Sequence, residues 1–291
     1  MKKSLYPKLG LIASMTVFGT IGIFVKYIPI SSSIIAMIRG FVGMLFLLAV
    51  ILVRRSEISW GLLKKKFTPL FFSSAFIGIN WILLFESYRY TTVATATLCY
   101  YLAPIFVILA SPLVLGERLT AKKLFCVLTA LAGMVFVSGI LGLKSFAFSE
   151  IKGILLGIGA AVFYASVILL NKKLADIPTF DKTFMQLGIA ALVLLPYTLI
   201  TENFGTIEFT LPTVILLLVV GIVHTGISYA LYFGSIGKLP SHTVAIFSYI
   251  DPIVAIVLSA LLLHEPMDIF GVIGAVMILG AAFVSEIPDK K

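Results

Sequence analysis

Charged residues are scarce. They make up 12% of the 291 residues, against 60% hydrophobic, and the mean hydropathy is +1.13. A water-soluble domain carries about 25% charged and roughly 45–50% apolar residues, so a soluble globule is excluded. The same hydrophobicity excludes a disordered chain. Only two cysteines are present, which excludes a disulfide scaffold. Cys99 and Cys126 both fall within apolar runs and are expected as buried, reduced thiols. Three histidines leave little for metal ligation, and "HEPMD" from His264 lacks the second histidine of H-E-x-x-H. No G-x-x-x-x-G-K-[ST] loop occurs, and no Ser/His/Asp arrangement stands out. The expectation is therefore a protein that is not an enzyme and needs no cofactor or metal. Alternation in segments of about ten residues, the mark of a membrane β-barrel, is also missing.

What the chain has is long apolar runs. A spanning helix takes about 20 such residues. Breaks at charges and prolines divide the sequence into ten expected spans: 8–27, 31–53, 67–88, 93–115, 120–140, 151–171, 181–201, 212–235, 241–263 and 267–286. Residues 1–25 resemble a signal peptide, with Lys2 and Lys3 before an apolar stretch. No small-x-small cleavage site follows, so they are read as an uncleaved first span. The net charge of +9 would suggest nucleic acid in a soluble protein. Here seventeen of the 22 Lys and Arg lie in one alternate set of loops, and the other set holds only Arg89, Lys144 and Lys152. Positive charge marks the cytoplasmic side. Both termini are thus expected in the cytoplasm, as an even number of spans requires, with no nucleic-acid partner.

The chain also repeats itself. A shift of 148 residues lays Gly78–Glu117 on Gly226–Glu265. Ser87 then meets Ser235, Tyr101 meets Tyr249, Pro104 meets Pro252 and Glu117 meets Glu265. A unit of five spans is odd, so the second copy (144–291) enters the membrane from the side opposite to the first (1–143). Inverted repeats of this kind recur in secondary transporters, where rocking of one half against the other gives alternating access.

"APIFVILASPLVLGERLTAKK", with Pro104 and Glu117, resembles the EamA-type signature of the drug/metabolite transporter superfamily. "DPIVAIVLSALLLHEPMDIFG", with Pro252 and Glu265, is its second copy, and "FGTIGIFVKY" and "AMIRG" are similar to the family's opening helix pair. Phe18 stands where the family often has Trp. The resemblance covers residues 10–284 and implies an all-α polytopic membrane protein of ten helices around a central cavity. It further implies export of amino acids or other metabolites, or movement of nucleotide-linked solutes, across a bacterial inner (plasma) membrane.

An ionisable group at the bilayer centre costs roughly 2.5–3.5 kcal/mol, so each one needs a reason. Asp251 lies near mid-depth, followed by Pro252 and with no acidic counterpart in the first copy, where Ala103 stands. It is read as a ligand for a substrate amine or a proton-coupling carboxylate, against a structural ion pair. His224 is also near mid-depth and is either a proton relay or a histidine bonded to a neighbouring carbonyl. Arg39 and Lys26 lie in the outer half and suit a carboxylate or phosphate. Lys26 has the alternative of snorkelling to the interface, and Arg39 that of pairing with Asp251 or Glu86. Asn80 and Trp81 align with Ser228 and Tyr229, and Tyr101 aligns with Tyr249. These aromatic and polar pairs suggest a cavity bounded by the third, fourth, eighth and ninth spans, or else helix packing. Glu117 and Glu265 sit at span ends on opposite sides of the membrane and are read as helix-terminus contacts near the N-termini of the fifth and tenth helices, against a part in gating. The partners expected are a small-molecule solute, protons as a candidate coupling ion, membrane lipids, and a second copy as an open option. Amino acids lead as cargo. The alternative is an anionic or nucleotide-linked metabolite held by Arg39 and Lys26.

Overall fold

The computed structural model describes residues 5–115, 120–137, 148–236, 238–239, 247–265 and 267–287. Glu117, the end of the fifth expected span and the start of the ninth lie outside them. Among the described residues every regular element is helical. The helices are α1 (Leu5–Tyr27), α2 (Ser32–Val53), α3 (Trp60–Lys65), α4 (Phe67–Tyr90), α5 (Val93–Tyr100), α6 (Ala103–Leu115) and α7 (Ala121–Val137). They continue with α8 (Phe148–Lys173), α9 (Thr179–Thr201), α10 (Leu211–Leu218), α11 (Ser228–Ile236), α12 (Ile250–Leu262) and α13 (Ile269–Glu286). A π-helical segment, Val219–Ile227, joins α10 to α11.

Seven stretches are long and apolar enough to cross a bilayer: 6–27, 32–53, 67–90, 93–110, 150–173, 179–201 and 211–235. The helices at Ile250–Leu262 and Ile269–Ser285 are apolar but shorter. The chain is a polytopic all-α membrane protein. Its surface fits that solvent, since Leu113, Ile200 and Val53 are each more than four-fifths exposed, and lipid rather than water covers them at no hydrophobic cost.

Local chemistry sets the helix ends. Thr92, Thr210 and Asp268 accept from the amides of Thr95, Thr213 and Gly271 and cap α5, α10 and α13. The turn α3 was not anticipated, because six residues show no apolar period. Its half-exposed Trp60 and its Lys64 and Lys65 suit the membrane–water boundary. Nearby, Lys66 Nζ meets Asp176 Oδ1 at 2.5 Å and the Lys173 carbonyl at 2.8 Å. The lysine holds the Asp176 carboxyl below its ordinary value. This tie is therefore complete above ordinary aspartate values and fades as pH falls through the lowered one.

Two expected spans are not continuous helices. The fourth breaks at Tyr101–Leu102, between α5 and α6, and the ninth has a turn at Tyr249 before α12. Prolines explain the position. Pro104 and Pro252 sit in the first turn of the following helix, where a missing N–H is tolerated, and each denies a donor to the carbonyl four residues back. Tyr101 and Tyr249 adopt nearly the same backbone angles, φ −72°, ψ 3° and φ −74°, ψ −7°.

The helix pairings follow a pattern. α4 packs on α8, and α1 on α11; α4 packs on α9, and α2 on the π segment; α5 and α6 pack on α8, and α1 on α12. In each case the second pairing is the first with the two halves exchanged. α2 with α9, α5 with α12 and α7 with α13 are their own counterparts.

The α7–α13 contact is made by glycine. A Cβ on Gly133 would lie 2.8 Å from Met277 Cβ and 2.9 Å from the Gly274 carbonyl. Gly133→Leu is expected to cost about 1–3 kcal/mol through overpacking. Thermal unfolding in detergent, followed by loss of the monodisperse peak, should fall by several degrees. Gly61→Leu, with nothing within 4 Å, should leave it unchanged.

Candidate functional site

The π-helical segment is where the site starts. One residue per turn is added, so side chains bond carbonyls five residues back: Thr225 to Val220 at 3.1 Å and Ser228 to Val223 at 2.8 Å. The widened turn presents two consecutive polar residues, His224 and Thr225, to α1 and α2. His224 Nε2 shares a 2.8 Å hydrogen bond with Thr20 Oγ1, and its ring packs edge-on against Phe24. His224 is 1% exposed.

Thr225 holds Arg39. The Arg39 Nε donates to Thr225 Oγ1 at 2.7 Å, and the guanidinium stacks 4.4 Å above Trp81 and 5.6 Å from Phe85. Arg39 is 5% exposed, yet no carboxylate lies within ion-pair distance of it among the described residues. Glu86, a candidate partner in the sequence, instead accepts from Ser32 at 2.7 Å and faces Arg89 at 3.6 Å. The two terminal nitrogens of Arg39 bond to no described residue. A guanidinium bonded only through Nε presents its flat pair of terminal nitrogens as a fork for an anion.

Asp251 supplies the opposite charge. Pro252 cannot donate to the Ser248 carbonyl, and the Tyr101 hydroxyl does so instead at 3.2 Å. The same hydroxyl lies 3.1 Å from Asp251 Oδ2. Tyr101 thus reaches from the break in one half to the break in the other, with its ring 6.4 Å from that of Tyr249. Asp251 Oδ1 has no bond to any described residue. Among the described residues no ion pair joins Asp251 to Arg39. Gly19, next to Thr20, brings α1 against this point: a Cβ there would lie 2.5 Å from the Asp251 carbonyl.

Aromatic rings line the region. Tyr229 packs against Phe18 and Phe233, Tyr100 stacks on Tyr164 at 5.1 Å, and Tyr249 meets Phe283. The sequence-predicted residues thus separate. Arg39, Trp81 and His224 come together around Thr20 and Thr225, and Tyr101, Tyr249 and Asp251 meet at the helix breaks. Asn80 donates to the Ala160 carbonyl at 2.6 Å and joins α4 to α8. Lys26 ends α1 in an ion pair with Glu265. The site extends beyond the four spans expected, since α1 and α2 contribute Thr20 and Arg39. Thr20 and Thr225 went unnoticed in the sequence, where a lone threonine in an apolar run carries no signal. Glu265 also differs from expectation. It caps α5 through the Val93 amide at 3.0 Å, whereas α13 is capped by Asp268.

Thr225→Val removes the acceptor of a buried charged donor, a loss of about 1.5–3 kcal/mol. It should lower thermal stability measurably, and Thr225→Ser should restore most of it.

Comparison with known proteins adds identity. An uncharacterized transporter of Bacillus subtilis (strain 168), YxxF, is 30% identical over 271 residues, which cover 93% of this chain and 86% of that one. An uncharacterized transporter of Archaeoglobus fulgidus is 26% identical, covering 96% of both. A crystal structure of a protein superposes with a TM-score of 0.65 at 20% identity, covering 96% of this chain and 95% of that one, and so shares the fold. The EamA-like transporter family matches residues 7–139 and again 151–286. The chain belongs to that family and is a multi-pass membrane transporter of small solutes.

Proposed function

We propose that this transporter exports small zwitterionic metabolites, amino acids first among them, across a bacterial inner (plasma) membrane. The observation that carries the reading is a pair of opposite charges that form no ion pair with each other. Arg39 offers two unbonded terminal nitrogens, and Asp251 offers an unbonded oxygen. A carboxylate on the first and an ammonium on the second would neutralise both within one solute. The rings of Trp81, Phe85, Tyr229 and Tyr100 suit its apolar part.

The mechanism proposed is alternating access by ten spans in two inverted units, 1–143 and 144–291. The exchange of halves in the helix pairings supports it, as do the matched breaks at Tyr101 and Tyr249. Discontinuous helices that meet at a repeat interface are a common setting for substrate sites. The loop charges favour cytoplasmic termini. An anionic cargo on Arg39 and Lys26 together is less well supported. Lys26 is engaged by Glu265 and lies six residues beyond Thr20, about 9 Å along α1.

The test is counterflow in proteoliposomes preloaded with mixed unlabelled amino acids, following labelled Phe, Thr and Met. Wild type should accumulate label, and Asp251→Asn should lose about tenfold in rate, the lower bound for a lost charged hydrogen bond. Equal accumulation in both would remove Asp251 from the amine site. No accumulation in well-folded wild type would overturn the amino-acid reading in favour of an anionic metabolite.

A further inference from the structure

One carboxylate gathers three helices at the end of the molecule that carries Lys26. Glu265 Oε1 pairs with Lys26 Nζ at the end of α1. Glu265 Oε2 accepts from the Val93 amide, the first residue of α5, at 3.0 Å and from Ser259 Oγ of α12 at 2.7 Å. The backbone is shaped to hold it there. His264 takes a left-handed φ of 54°, and the Glu265 amide turns back to the Ser259 carbonyl at 3.2 Å. A non-glycine residue adopts that conformation at some cost. The carboxylate also complements the positive end of the α5 dipole, beside the Thr92 cap.

These three helices also carry the site. α1 brings Thr20, α5 leads to Tyr101, and α12 brings Asp251. Lys26 is six residues beyond Thr20, Val93 eight before Tyr101, and Ser259 eight beyond Asp251. At 1.5 Å per residue the three helices put Glu265 about 9–12 Å from the site, all in the same direction. Other polar ties close the same end. Ser32 bonds Glu86, Ser33 bonds Glu202 at 2.5 Å, and Arg89 reaches the Ile30 carbonyl. At the opposite end a buried cluster joins other helices, Gln186 of α9 donating to Ser73 of α4 at 2.7 Å and to Asn171 of α8 at 2.8 Å, with Ser59 on Asp181 and Lys66 on Asp176 beside it. Among the described residues none of those joins α1, α5 and α12.

We infer that Glu265 is the latch of the external gate and that this structure is shut on that side. Opening requires α1, α5 and α12 to separate, and one carboxylate cannot then keep Lys26, Val93 and Ser259 together. The inference rests on the membrane orientation proposed above but on no choice of cargo.

The experiment uses the full chain with Cys99→Ala and Cys126→Ala, and Thr97→Cys as reporter. Thr97 lies on α5 one turn from Val93 and one turn from Tyr101. A membrane-impermeant methanethiosulfonate is applied to right-side-out spheroplasts and to inverted vesicles, and the labelling rate is read by mass. Glu265→Gln should speed labelling in spheroplasts at least fivefold, and Lys26→Met should do so as well. Lys26→Cys with Glu265→Cys, joined by a short bifunctional thiol reagent before the reporter is probed, should hold the rate at or below that of the parent reporter protein, whose latch is intact. Unchanged spheroplast rates in variants that elute as folded protein would overturn the inference. So would acceleration confined to inverted vesicles. Should Glu265→Gln fail to fold, Lys26→Met alone decides, since it leaves the Val93 and Ser259 bonds in place.

Discussion

In a bilayer a backbone polar group has no water to fall back on, so a broken helix survives only where protein supplies the missing bonds. That constraint governs this molecule. The chain breaks two of its helices, at Tyr101 and Tyr249, and it buries both breaks against each other. Pro252 strips a donor from the Ser248 carbonyl, and a tyrosine from the opposite break replaces it. The same hydroxyl then reaches Asp251. The carboxylate is therefore positioned by the repair of a backbone defect, and the interface between the two halves is the place where such a repair is available.

The scaffold is duplicated, but the chemistry is not. Pairing of helices, breaks and prolines recur in both halves. Under the same shift of 148 residues, Asp251 falls on Ala103, Arg39 on Leu187 and Thr225 on Ile77. The π segment has a plain α-helix, α4, as its counterpart. The proposed alternating access would use that asymmetry, with one set of charges held between two halves of matched frame.

Much of the frame was legible in the sequence because lipid enforces a simple code. Apolar length marks the helices that cross the bilayer. Tyr101, Pro104 and Glu117 recurring in register gave the repeat. Asp251 and Arg39 stood out for the same reason, since an ion in an apolar run is costly. Other features left no trace. The π segment has no composition of its own, so the contact of Thr225 with Arg39 could not be foreseen. Asn80 looked like a cavity residue and is a helix–helix bond, because a buried amide serves either purpose with the same side chain. Glu265 was expected at the helix that follows it and caps a helix 172 positions away in the chain; sequence proximity says little about contacts across a bundle.

Arg39 and Asp251 are proposed as the two poles of one solute site. Trp81 lies under the Arg39 guanidinium and is one of two tryptophans, so with Trp60→Phe its emission reports on that pole alone. The decisive measurement is titration of this protein with an amino acid, its carboxamide and its N-acetyl derivative. A two-pole site gives a saturable change in Trp81 emission with the zwitterion and at least tenfold weaker binding of each derivative, since each lacks one pole. Equal binding of all three, or a zwitterion response that survives Arg39→Gln unchanged, would contradict it.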